Sequence, residues 1–351
     1  MAEPRIRALV LAAGHGMRLR PLTDVVPKPL LPILGQPVIE QTLTALAEAG
    51  CEAAAINLHH LGHVIEERFG GAYHGMRLVY SREPELLGTL GALGPLASFA
   101  AEADLFIVVN GDSLCRWPLA ALVRRHRKAA PAATLMLTKR ADPRQFGGGV
   151  IVGRDRSIRS LRGGEPGDKE HRRVFAGAHV FDPTILQRAT RELGDQPADF
   201  VTDLYEPLLE ADETLQAFES RRHWHDLGTP ERYLDGARNW GLGRWPRRFW
   251  RSSWLAPGAT VSPDAQLRGA VVERGAVISA GCRIDRSLIL DGAVIGSGAR
   301  LRRAVVGPDV IVPEDSTITG HMVTTMRADL VPRAIDSVVG DIVCSRLEGS
   351  R

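Results

Sequence analysis

The chain has 351 residues, 44% of them hydrophobic and 24% charged, with a formal net charge of +3. That is ordinary globular composition at a length that accommodates two domains, and the mild positive balance suits a small anionic substrate without calling for nucleic acid. No apolar run reaches 18 residues, no signal-peptide core follows the N-terminus, and Cys51, Cys115, Cys282 and Cys344 show neither zinc nor disulfide spacing; these features argue against membrane spanning and secretion, and a reducing cytoplasm is the expected setting.

The first predicted element is a buried strand at 6–13, apolar from Ile6 to Leu11 apart from Arg7. It opens into Gly14-His15-Gly16. A strand that ends in a glycine turn points backbone N–H groups at a phosphate, so Leu11, Ala12, Ala13, Gly14 and Gly16 are candidate nucleotide-binding residues. Leu19 stands where a dinucleotide fingerprint requires its third glycine, which excludes that motif. Arg18 and Lys28 follow, ten residues apart, in a loop stiffened by Pro21, Pro27 and Pro29. Only Lys28, Lys128, Lys139 and Lys169 among the 44 basic residues are lysine. A chain that otherwise writes its cations as arginine keeps lysine inside Pro-Lys-Pro, where a compact ammonium and a planar guanidinium are not interchangeable.

Further strands are predicted at 52–57, 104–109, 133–138, 148–152 and 174–181, with helices at 38–49, 61–69, 118–129 and 200–211. This alternation predicts an α/β fold, a Rossmann-like mixed sheet that is mainly parallel, with helices on both faces. Ligands of such sheets bind beyond the carboxyl ends of the strands, where the 14–29 loop and the Asn110-Gly111-Asp112 turn fall. Magnesium is typically held by one or two carboxylates and substrate phosphates, and Asp112 and Asp226 are the candidate metal ligands. Each also has a plain structural reading, Asp112 as a turn residue and Asp226 as a helix cap.

From residue 255 the grammar changes. Val261, Leu267, Val272, Ile278, Ile284, Ile289, Ile295, Leu301, Val306, Val312 and Ile318 follow one another at spacings of 6 and 5 that sum to 17 per three steps. Hexapeptide periodicity of this kind predicts a β-helix of about four coils, with one aliphatic residue per face pointing inward. Extending the stride backwards puts Leu255 in register with Val272. The segment Trp240–Trp254, with four tryptophans and four arginines, reads as an interdomain seam or as a polyanion or membrane-surface contact. The domain expectation is 1–239, a junction at 240–254, a repeat domain at 255–325 and a tail at 326–351 in which no motif is legible.

The run Leu11 to Pro29 resembles the signature of the sugar-1-phosphate nucleotidyltransferases, L-A-A/G-G-x-G-x-R-L-x-P-L-T-x-x-x-P-K-P, at each fixed position. The resemblance implies the reaction of a nucleoside triphosphate with a sugar-1-phosphate to give a nucleotide-sugar and pyrophosphate. It implies that Arg18 holds the β- and γ-phosphates and Lys28 the α-phosphate. Asp112 and the segment Trp224–Tyr233, which contains Asp226, resemble the family's magnesium motifs. Glu83 to Ala92 resembles the segment that reads the nucleobase, with Gly88 and Thr89 at its centre; Glu83 is suited to accept from guanine, although acid also occurs here in uridylyl enzymes. Phe146-Gly147 and Gly177 resemble the two glycine segments of the sugar site. The family's E-K-P element between them is replaced by Leu161–Lys169, so that Lys169 or Arg162 takes the sugar phosphate, or neither does. The repeats resemble the left-handed β-helices that follow many such domains, and they imply self-association. The closest implied activity is that of mannose-1-phosphate guanylyltransferases acting on GTP. Uridylyl or thymidylyl transfer to another sugar phosphate, a non-catalytic regulatory subunit, and acyl transfer on the repeats through His321 are the alternatives.

Overall fold

The computed structural model describes residues 4–193, 196–242, 253–326, 332–333 and 336–347. The chain divides into two compact units. One comprises 1–15 and 39–224; the other comprises 16–38 and 225–351. The loop that carries Arg18 and Lys28 thus groups with the C-terminal part of the chain.

The first unit is built on a mixed sheet. Strands Leu105–Asn110, Ile6–Leu11, Cys51–Leu58 and Met76–Arg82 lie side by side and parallel. Their apolar runs are continuous because both faces are covered: Ala8, Leu9, Val10, Ala54, Ala55, Ile56, Ile107, Val108 and Val109 are all fully buried. Beyond Leu105–Asn110 the pattern turns antiparallel. The long strand His171–Phe181 pairs with it through 178–181, with Val150–Val152 through 171–173, and with Ala133–Thr138 on its other edge, where Leu215–Ser220 adds in parallel. Pairing with Ala133–Thr138 breaks between Phe175 and His179, a bulge centred on Gly177. Helices Val38–Glu48, Gly62–Phe69 and Leu119–Ala129 form where the sequence places them. The segment 200–211 is one π turn, Val201–Tyr205, followed by a short helix, Glu206–Glu210. Pro207 has no N–H to donate, which interrupts the regular ladder at that point.

In the second unit residues 254–325 form three parallel sheets with a stride of 17. Trp254, Val271, Leu288, Val305 and Met322 are successive partners in one sheet. Thr260, Val277, Val294 and Ile311 follow in the second, and Gln266, Arg283, Arg300 and Thr317 in the third. Val272, Ile278, Ile284, Ile289, Ile295, Leu301, Val306 and Val312 point into one core. Each buried aliphatic side chain contributes roughly 1.5–3 kcal/mol. Leu255 pairs with Val272 as the stride requires and is 45% exposed.

The tail holds structure that the repeat pattern does not reveal. Asp336–Val339 and Ile342–Arg346 form a hairpin antiparallel to His321–Thr325, and Ile342 and Cys344 close over the core of the last coil. Residues 243–252, most of the Trp/Arg-rich junction, lie outside the described residues. No described helix is long and apolar enough to cross a membrane.

Candidate active site

The four parallel strands of the first unit end in register: Leu11 lies opposite both Asn57 and Asn110, and Asn57 opposite Ser81. Beyond these ends lies a cleft of about 270 Å³. Leu11, Ala13, Gly14, Glu83, Gly88, Thr89 and Asp112 line it, together with Asn57, Leu86 and Asn110. Six of the eight predicted nucleotide residues and one predicted metal ligand therefore share one concavity. Ala12 stands behind its wall, 6% exposed. Gly16 belongs to the second unit, where it begins the turn Met17–Leu19 at φ 64°.

Asn57 is the residue that the sequence analysis missed. Its Oδ1 accepts from the Ala12 N–H at 2.7 Å, and its Nδ2 donates to Glu83 Oε1 at 2.8 Å. The other carboxylate oxygen of Glu83 accepts from the Leu87 N–H at 3.1 Å. One amide side chain therefore ties the glycine turn to the 83–89 loop, and Glu83, 4% exposed, braces that loop from within. The far side of the loop is held by the segment 198–200. Ala198 N–H donates to the Leu87 carbonyl, the Ala198 carbonyl accepts from Leu90 and Gly91, and the Thr89 hydroxyl donates to Asp199 at 2.8 Å. Asp112 follows Gly111, whose N–H donates to the Leu11 carbonyl at 2.9 Å; this fixes the turn against the neighbouring strand.

The predicted sugar residues gather differently. Trp224 Nε1 donates to the Ala176 carbonyl at 2.8 Å, and its ring meets Phe146 edge-on at 5.5 Å. Trp224 thus joins the Phe146-Gly147 turn to the bulge at Gly177. Glycine is required at 177: φ is 87°, and a methyl group there would lie 2.6 Å from Asn110 Nδ2. Lys169 is exposed in the turn at 168–169. Arg162, its alternative, is engaged elsewhere, donating to Thr202 at 3.1 Å and pairing with Glu206 at 2.7 Å.

In the second unit the loop 16–38 is anchored by its own leucines. Leu19, Leu22 and Leu31 are fully buried. The Thr23 hydroxyl donates to the Gly16 carbonyl at 3.0 Å, and Arg20 pairs with Asp24 at 2.6 Å. Lys28 is 9% exposed and opens the turn Lys28–Leu30. Arg18 and Asp226 meet around Gly228. A methyl group on Gly228 would lie 2.7 Å from Arg18 Nη2 and 3.0 Å from either carboxylate oxygen of Asp226. Asp226 also pairs with Arg232. Among the described residues no group of three or more His, Cys, Asp or Glu side chains could hold a metal ion.

Comparison with known proteins divides the chain at the end of the helix Pro230–Leu242. A nucleotidyl transferase model matches residues 7–241, and a GlmU-like, C-terminal hexapeptide model matches residues 246–326. Mannose-1-phosphate guanylyltransferase of Mycobacterium tuberculosis is 33% identical over 278 residues, 78% of this chain and 76% of that protein. Mannose-1-phosphate guanylyltransferase catalytic subunit beta of Drosophila pseudoobscura pseudoobscura is 31% identical over 233 residues, 66% of this chain. The chain spans 61% of the length of that insect relative. Among solved structures, HddC from Yersinia pseudotuberculosis complexed with GMP-PN aligns with a TM-score of 0.55 at 21% identity, over 67% of this chain and 99% of that one. At that identity the likeness speaks for the fold. With the family match running unbroken from the first strand to the helix Pro230–Leu242, the chain belongs to the nucleotidyl transferase family.

Proposed function

We propose that the chain transfers a guanylyl group from GTP to a sugar-1-phosphate, mannose-1-phosphate in the first instance. An oxygen of the sugar phosphate attacks the α-phosphorus, the bond to the bridging oxygen of the β-phosphate breaks, and pyrophosphate leaves. No protein nucleophile is needed, so positioning and charge neutralisation do the catalytic work. The cleft at the carboxyl ends of four parallel strands carries this reading, because the signature residues Leu11, Ala13 and Gly14 share it with Asp112. In this reading Leu11, Ala12, Ala13, Gly14, Gly16, Gly88 and Thr89 bind the nucleotide through their backbone. Arg18 takes the β- and γ-phosphates, Lys28 the α-phosphate, and Gly147 and Gly177 admit the sugar. Asp112 and Asp226 would hold a divalent ion, magnesium in this reading, whose charge offsets that of the phosphates when it is bound.

The choice of GTP follows the relatives' names. One observation favours a second reading. Both Glu83 oxygens already accept from the protein, so a guanine contact must use their remaining lone pairs. Uridylyl or thymidylyl transfer places no such demand. We also infer self-association through the repeat domain, whose second sheet presents Val277, Val294 and a 68% exposed Ile311 on one outward row.

The deciding experiment is pyrophosphate release from four nucleoside triphosphates against mannose-, glucose- and N-acetylglucosamine-1-phosphate with magnesium. Turnover of the GTP and mannose-1-phosphate pair, abolished in Lys28→Ala and Asp112→Ala, supports the proposal. Turnover of a pyrimidine nucleotide alone replaces it with the second reading, and silence across the panel refutes both.

A further inference from the structure

The loop 16–38 ends in a two-stranded hairpin, Pro32–Ile33 against Gln36–Pro37, which turns at Leu34 and Gly35 with φ of 54° and 81°. Both turn amides donate to a single carboxylate of the repeat domain. Leu34 N–H meets Glu273 Oε1 at 2.8 Å, and Gly35 N–H meets Oε2 at 2.7 Å. Arg274 reaches the Gly35 carbonyl at 3.4 Å, and Tyr233 on the helix Pro230–Leu242 donates to the Pro32 carbonyl at 2.8 Å.

Glu273 is out of keeping with its place in the repeat. Stepping by 17, the same corner of the other coils is occupied by Ala256, Leu290 and Gly307. All four corners make the same backbone bond to the next coil, from 256 to Val272, 273 to Ile289, 290 to Val306 and 307 to Val323. The coil therefore needs no acid at this corner. Glu273 is nevertheless completely buried, and burying a carboxylate is costly unless its oxygens are used. The use on view is the hairpin.

The hairpin is linked through backbone hydrogen bonds to Lys28. Val38 N–H donates to the Leu31 carbonyl, and Leu31 N–H to the Lys28 carbonyl, both at 3.1 Å. A shift at Leu34 and Gly35 therefore passes along hydrogen-bonded backbone to Lys28.

We propose that Glu273 is a positioning residue: through the hairpin, the repeat domain sets the placement of Lys28 and the loop that carries Arg18. The inference rests on the phosphate-binding roles proposed above for those two residues. It makes the β-helix a working part of the transfer reaction.

Titration supplies a signature. Burial pushes the Glu273 carboxyl up to about 7; Asp291 adds to the rise, and the Gly35 and Leu34 amides and Arg274 oppose it. The groups facing it are Tyr233 from the helix, Asp291 and Arg274 from the repeat, and amides alone from the hairpin. Tyr233 is held far above its ordinary range by burial, then by Glu273 and Asp291, so it stays neutral. A value raised by burial from the ordinary 4.5 means that the buried arrangement is favoured while the carboxyl is protonated and loses that advantage as pH rises from about 4.5 to about 7, offset in part by the two amides, which favour the carboxylate.

The test uses the full chain with Glu273→Leu, which copies the leucine of the next coil, and Glu273→Gln, which stays neutral at every pH. Hydrogen exchange is followed at Leu34 and Gly35, and at Leu30 and Leu31, whose amides report on the Lys28 turn. The wild-type protection at Leu34 and Gly35 falls between about pH 5 and pH 7, the window set by the raised carboxyl, while Glu273→Gln shows no such fall. In Glu273→Leu these amides and those of Leu30 and Leu31 lose protection, and kcat for pyrophosphate release drops about 10- to 100-fold, the scale of a small misplacement. Wild-type exchange at Leu30 and Leu31 in Glu273→Leu overturns the proposal, as does a wild-type kcat. A wild-type chain inactive on every substrate pair would refute the proposed reaction instead, and exchange at Leu30 and Leu31 would still decide whether Glu273 positions the Lys28 turn.

Discussion

Replacing Asn57 by alanine tests the organisation of the cleft most directly. The side chain is 3% exposed and makes one hydrogen bond to a neutral amide, at 2.7 Å, and one to a carboxylate, at 2.8 Å. Truncation leaves the Ala12 N–H and Glu83 Oε1 without those partners. An unmet buried amide costs about 1–3 kcal/mol and a charged acceptor somewhat more, which puts the loss near 3–4 kcal/mol, or about 2 kcal/mol if water enters from the cleft. The glycine turn and the 83–89 loop should then move independently, so KM for GTP should rise at least about tenfold while kcat stays within about threefold, the pattern of lost ground-state binding. Urea unfolding and initial-rate kinetics measure the two effects on one preparation. Asn57→Asp sharpens the test, since it keeps the acceptor for Ala12 but sets a second carboxylate 2.8 Å from Glu83. At an effective dielectric of about 20 that repulsion reaches about 6 kcal/mol if both are charged, so this variant should be less stable than Asn57→Ala at pH 8. Stability within about 0.5 kcal/mol of wild type in Asn57→Ala, with unchanged KM, would refute the reasoning, for surface substitutions commonly do no more.

Gly177→Ala forces a methyl group to 2.6 Å from Asn110 at a φ of 87°; a loss of about 1–3 kcal/mol in thermal unfolding and a raised KM for the sugar phosphate are expected. Gly228→Ala places its methyl group 2.7 Å from the mobile end of Arg18, so KM for the triphosphate should rise while the melting temperature stays near that of wild type. For Glu219, burial works against ionisation, but hydrogen bonds from Arg173, Lys139 and His171 hold its carboxyl down to about 2. A depressed value contributes stability above the unfolded pKa and loses it as pH falls, so the advantage of wild type over Glu219→Gln in urea should narrow by about 2 kcal/mol between pH 6 and pH 3. Ile295→Ala, in the repeat core at 0% exposure, should cost about 2–5 kcal/mol in unfolding.

Periodicity made the repeat domain legible, because one inward aliphatic residue per face leaves a stride in the sequence before any contact is known. The strands around the cleft were legible for a related reason: buried parallel strands are written as unbroken apolar runs. The glycine turn and Asp112 could then be assigned to one edge of the sheet. Asn57 escaped because its partners are 45 and 26 residues away, and a long-range hydrogen bond has no local pattern. The signal available was a lone amide near the carboxyl end of the apolar strand Cys51–Leu58. The C-terminal hairpin escaped because Asp336–Arg346 abandons the 17-residue stride, and the cross-strand pairing that forms it is invisible in composition. Glu273 was visible in principle, as one acid in a column of Ala256, Leu290 and Gly307, but its meaning depends on two amides at the other end of the chain.

That separation bears on how the protein is made. Gly35 leaves the ribosome 238 residues before Glu273. At about 5–20 residues per second, roughly 12–48 s of synthesis elapse before the hairpin's partner exists. The first unit can meanwhile assemble from residues 1–15 and 39–224, with its strands and helices all in hand. The loop bearing the two cations must wait for the coils. Emergence of the coils, rather than folding of the N-terminal half, is then the event that readies the loop carrying Arg18 and Lys28, and a polypeptide released before them would have the cleft at the strand ends but no clamp for that loop.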